Sequence, residues 1–195
     1  MLITIQNLLG ANLMSLQTGQ PLAKLDAAII DPRTLKILAF YVSGPMVDFA
    51  PAVVFASDIR EFGPLGAIID SADKILPLDD LVRLEEVIDF GFVLDGIKVV
   101  DDHKNKLGKV ANYTLDPENF EIQQLMLTPT FAKAFRVANL TVSRKQVLSI
   151  DNQKIVVKAP DVKVRGADFA KGSAPLAPVE NPFRKPKSAA ETEQK

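Results

Sequence analysis

Few residues in this chain are placed to do chemistry. Asp101-Asp102-His103 sets two carboxylates beside the only histidine, the residue types that hold a metal or pass a proton. Adjacent carboxylates on an extended strand point to opposite faces, and there is no second histidine and no cysteine to complete a site. The triplet therefore reads as a polar turn. Asp31-Pro32 and Asp116-Pro117 are turn formers as well, because proline fixes φ and the aspartate side chain accepts a nearby backbone N–H. Gly63-Pro64-Leu65-Gly66 lacks the lysine and spacing of a phosphate loop, and no G-x-S-x-G elbow occurs. Zero cysteines exclude disulfides, thiolate zinc, iron–sulfur clusters and a cysteine nucleophile. The expectation is a protein that is no enzyme and takes no cofactor, metal or small-molecule ligand.

The elements around these turns come in two copies. Leu22–Val42 (LAKLDAAIIDPRTLKILAFYV) lies over Leu107–Leu127 (LGKVANYTLDPENFEIQQLML) without a gap, 85 residues apart. After three residues of slippage, Ile59, Phe62 and Ile68-Ile69 fall on Val147, Ile150 and Val156-Val157. Lys24–Ile30 and Lys109–Leu115 have strand composition. Each is followed by Asp-Pro and a returning strand, at 37–42 and 122–127. Ser57 and Ser143 suit the N-cap of a single helical turn. A short strand closes each unit, at 67–69 and 154–157. About five short strands in so small a unit predict a closed barrel, because closure removes exposed edges.

Each unit resembles the PRC-barrel domain, a small β-barrel found in the H subunit of photosynthetic reaction centres and as the C-terminal domain of a ribosome maturation factor. The resemblance rests on the strand after Gly19-Gln20-Pro21-Leu22, the run from Lys24 to Asp31-Pro32, and its copy from Asn105-Lys106-Leu107-Gly108 to Asp116-Pro117. KNKLGKVANYTLDPENFEI is the better match; the first copy carries Ala23 where the family favours glycine. The two copies cover roughly residues 8–76 and 95–160. The resemblance marks a fold, carries no catalytic signature, and implies an adaptor module that docks on protein or ribonucleoprotein partners. This chain has neither the reaction-centre subunit's membrane helix nor the ribosome factor's other barrel ahead of the unit. A stand-alone tandem protein is the closer description.

The expected fold class is therefore all-β: barrel-like domains at 1–78 and 95–165, a linker helix at 79–94 and a disordered tail at 166–195. In the linker, Leu81, Leu84, Val87 and Ile88 recur at helical spacing and Asp79 can cap. The tail holds four prolines and six alanines with few core formers; its one distinctive string is Asn181-Pro182-Phe183-Arg184-Lys185-Pro186-Lys187. No stretch reaches the ~20 apolar residues of a membrane helix, and no basic leader precedes the apolar start, so a cytoplasmic protein is expected. The net charge of −1 hides −5 over residues 79–96 and +5 over 97–165. Two partner sites are expected. The first is the apolar loop with Met46, Val47 and Phe49, which serves either as an exposed apolar site for a protein partner or as the loop's own interface with the other barrel or the linker helix. The second is Lys133, Arg136, Arg144 and Lys145, whose charges could meet RNA or a ribosome. A non-catalytic adaptor for a protein partner is the leading reading, with an RNA- or ribosome-associated factor as the alternative.

Overall fold

The computed structural model describes residues 1–128 and 140–158. Lys133, Arg136, the tail 166–195 and its Asn181–Lys187 string lie outside the described residues.

Alternating apolar positions build two sheets. The first contains β2 (Asn12–Ser15), β3 (Pro21–Asp31), β4 (Lys36–Ser43), β5 (Ala52–Phe55), β6 (Glu61–Gly63), β7 (Gly66–Ile69) and β8 (Ile75–Pro77). Its hydrogen-bonded order is β6-β7-β2-β3-β4-β5-β8. The second contains β9 (Lys98–Asp101), β10 (Lys106–Leu115), β11 (Ile122–Thr128), β12 (Leu140–Ser143), β13 (Val147–Ile150) and β14 (Lys154–Val157), with β1 (Ile3–Thr4) paired onto β10. Its order is β13-β14-β9-β10-β11-β12. The first six strands of one sheet and the six of the other thus follow the same path, including a parallel pair (β2 with β7, β9 with β14). Where β7 runs beside β2, Gly66 has φ +130°, and a Cβ there would sit 2.0 Å from the Asn12 carbonyl oxygen. Gly63 to Gly66 is accordingly a hairpin turn.

Neither sheet closes into a barrel, which corrects the expectation of closure. A 3-10 turn, Ala56–Asp58, packs on β4 and joins β5 to β6 in the chain, burying Ala56, with Ile59 buried just after it; the edge strands β6 and β8 have no ladder between them. Each open end is a strand of three or four residues, short enough to limit the edge's liability. In the second half the matching turn, Arg144–Gln146, carries a capping box: the Ser143 hydroxyl accepts from the Lys145 N–H, and the Gln146 side chain accepts from the Ser143 N–H. The Ser57 expectation fails, because Ser57 lies inside its turn and Phe55 precedes it.

Helix α1 (Val82–Asp89) covers the outer face of the first sheet only. Its start differs from expectation: Asp79 belongs to a preceding 3-10 turn, and Leu81 takes the N-cap place without a side-chain cap. Leu84 is buried against Ile29, Ala39 and Val53, with Leu81, Val87 and Ile88 packed around it. Strand register makes Thr114, Gln124 and Thr141 the second-half counterparts of those three sheet residues. A face of Ile, Ala and Val needs a cover, whereas in the second half Gln124 and Thr141 are exposed to water and Thr114 is half-buried.

The two halves meet at their Asp-Pro hairpin tips. The Ile37 N–H donates to the Phe120 carbonyl (3.0 Å) and the Ile122 N–H to the Leu35 carbonyl (2.9 Å), flanking a bridge between Lys36 and Glu121. Leu35 and Phe120 both have positive φ, 49° and 59°, and both are buried. The Phe120 ring packs on Phe40 and Phe62 of the first half, with centroids 6.4 and 5.9 Å away. One cluster of buried apolar residues consequently runs through both halves. Phe120→Ala is expected to cost about 3–5 kcal/mol, as for other buried aromatic truncations. Because the core is continuous, urea melts of this variant should still show a single transition.

Candidate functional site

The same geometry that joins the tips leaves a cleft on either side of them. In the first, Pro117–Phe120 of the second half's tip faces the end of β4, the 56–58 turn and β6 of the first half. In the other, Pro32–Leu35 of the first half's tip faces Arg144 and Val147–Ile150. These are counterparts: tip positions differ by 85 residues, and Ile59 to Phe62 correspond to Val147 to Ile150 at 88. Their sizes differ, about 1190 Å³ against 270 Å³.

The residues that line them differ. Where the larger cleft has buried Ala56, the smaller has Arg144, whose Nη1 donates to the Leu35 carbonyl (3.3 Å) and lies 3.9 Å from Glu121 Oε2. Phe90, just past α1, also lines the smaller cleft. The larger cleft instead gains the first turn of α1 and the N-terminal Met1 and Ile3 as walls. Its floor is apolar, with Ile37, Ile59 and Phe120 buried and Leu38, Phe55 and Phe62 half-buried. Val82 stands at its rim with 66% of its surface exposed. Lys36, Arg83, Asp80 and Glu118 surround it as exposed charges, whereas Arg60 is held by Asp70 through two hydrogen bonds of 2.9 and 2.7 Å. β6 is an edge strand, and its Glu61 and Phe62 line the cleft. Apolar floor, charged rim and free strand edge together suit an extended segment of another protein.

The residues singled out from sequence lie elsewhere. Met46 and Phe49 are exposed (62% and 40%), Val47 packs against the core, and none of the three lines either cleft. Lys145 is exposed, and Arg144 spends its guanidinium on the junction. Asp101 is a turn residue: its carboxylate accepts from the N–H groups of His103 (3.0 Å) and Asn105 (2.7 Å) and from the Asn105 side chain (2.8 Å). The Asn105 amide, then the two backbone groups, hold its pKa below the usual carboxylate value despite burial. Among the described residues no group of three or more His, Cys, Asp or Glu could hold a metal. No described helix is long and apolar enough to cross a membrane.

Sequence reasoning missed Phe120, Leu35, Val82 and the cleft floor. One signal was available: both copies carry a large apolar residue four positions after the turn aspartate, where hairpin chemistry favours glycine or asparagine.

No protein-family model matches the chain, and no curated protein matches it.

Asp31, at the first half's tip, carries a pH dependence. Burial raises the pKa of Asp31, but hydrogen bonds from the Arg33 N–H (3.0 Å), the Arg33 guanidinium (3.2 Å) and the Thr34 hydroxyl (3.1 Å) outweigh it, so the net shift is downward from 3.8. A lowered folded pKa stabilises the fold at pH values above the unfolded one, and that contribution is lost as the pH falls through the folded value. Asp31→Asn should therefore melt below wild type at neutral pH, with the gap narrowing below pH 3.8. Thermal melts across pH 2–7 would check it.

Proposed function

We propose that this chain is a non-catalytic adaptor of two PRC-barrel-like units that works in the cytoplasm and docks on a protein partner. The observation that carries the docking reading is the larger cleft, whose occupant is an apolar segment in extended conformation, hydrogen-bonded to the free edge of β6. Main-chain pairing at that edge supplies affinity, and the apolar floor takes alternate side chains of the segment. The matching strand paths and the two Asp-Pro tips support the PRC-barrel-like assignment.

The alternative, an RNA- or ribosome-associated factor, draws on the +5 charge of residues 97–165. Arg144 is tied to Leu35 and Glu121, while Lys145 is exposed, as are Lys98, Lys104, Lys106, Lys109, Lys154 and Lys158.

Selection from a displayed random-peptide library tests the cleft. The expected binders alternate apolar residues and protect the Glu61–Gly63 amides from hydrogen exchange. Val82→Asp should weaken them at least tenfold without moving the melting temperature, because Val82 is mostly exposed. Binders that ignore Val82→Asp but are lost with Met46→Asp or Phe49→Asp would place the site on the loop. Capture of RNA that weakens steeply with salt, and is lost when Lys133, Arg136 and Lys145 become Glu, would replace the protein reading.

A further inference from the structure

The junction between the halves has the form of a homodimer contact folded into one chain. Lys36 faces Glu121, its own counterpart 85 residues on, and the flanking hydrogen bonds (Ile37 to Phe120, Ile122 to Leu35) exchange roles across the bridge. Residue i meets j and j meets i, as in an isologous two-fold interface. Such a surface also fits its own copy, so a chain with two of them faces three pairings: first half with second, first with first, second with second.

We infer that the tips and the sockets receiving them carry a charge-and-size code that selects the intrachain pair over either like-with-like pair between two copies of this chain. Charge comes first. The flanking bonds place Lys36 and Glu121 as a non-hydrogen-bonded pair, the register in which facing side chains come closest. Opposite charges attract in the intrachain pair; a like pair sets Lys36 against Lys36 or Glu121 against Glu121, which is unfavourable.

Size follows the same logic. The large tip residue, Phe120, enters the cleft whose socket residue is the small Ala56; the smaller tip residue, Leu35, meets the large Arg144. Pairing second halves would put Phe120 against Arg144 and overfill the contact. Pairing first halves would put Leu35 against Ala56, leaving a void and removing the second donor, Arg144, from the Leu35 carbonyl, which keeps only its ladder hydrogen bond. Each half is thus the better partner for the other.

The test uses the full chain. One variant makes both halves second-like (Leu35→Phe, Lys36→Glu, Ala56→Arg), and the other makes both first-like (Phe120→Leu, Glu121→Lys, Arg144→Ala). Each is expected to melt below wild type and run as a single chain by light scattering. Their equimolar mixture, annealed together, should acquire a two-chain species that neither forms alone. In parallel, Lys36→Glu and Glu121→Lys should each lower the melting temperature, and the double reversal should restore it. A mixture that gains no two-chain species overturns the inference, even if the double reversal rescues stability. So does a double reversal whose loss equals the sum of the single losses. Should a triple variant fail to fold, the charge reversals alone decide.

Discussion

Everything distinctive in this protein depends on a very short ladder between two hairpin tips. Two hydrogen bonds flank the Lys36–Glu121 bridge, and the residue before each bridge position sits in the left-handed region. A residue with a Cβ pays about 1–2 kcal/mol to be there. Leu35 and Phe120 both accept that cost, and both bury an apolar side chain of the kind worth about 1.5–3 kcal/mol. The strain and its compensation lie at the same positions, which makes the tip conformation sensible only with the other half present. A hairpin folding by itself would do better with glycine or asparagine there.

From that contact follow the continuity of the core and the inequality of the two clefts. Phe120 carries the second half's apolar cluster into the first through Phe40 and Phe62. The short strand β1 adds a second crossing, since the chain's opening residues pair with β10 of the other half. Counterpart sites then diverge by single residues. Ala56 leaves its cleft open, while Arg144 reaches across the other to the Leu35 carbonyl. Helix α1 belongs to the same divergence, present where the outer sheet face is Ile29, Ala39 and Val53.

Much of the local architecture was legible because it rests on short-range chemistry. Proline after aspartate makes a turn wherever it falls: Asp31 accepts from the Arg33 N–H, and Asp116 accepts from that of Glu118 at 3.2 Å. Strand composition on either side of the Asp-Pro turns predicted the long hairpin strands to within a few residues, and Asp101 became the polar turn expected of it. Helical periodicity over Leu84, Val87 and Ile88 predicted α1, though its first residue slipped because a 3-10 turn took Asp79. Barrel closure was misjudged, since nothing local in Glu61–Gly63 or Ile75–Pro77 says that these two edge strands stay unpaired with each other.

What the sequence by itself determined was the repeat pattern with its turns and strands. These depend on residue type and spacing along the chain. Only the tertiary structure decided which surfaces face one another: that Lys36 meets Glu121, that Arg144 leaves the basic patch for the junction, and that Val82 overlooks a cleft floored by Ile37 and Phe120. Such meetings join residues tens of positions apart. Their energy comes from excluding water between surfaces that no window of sequence contains.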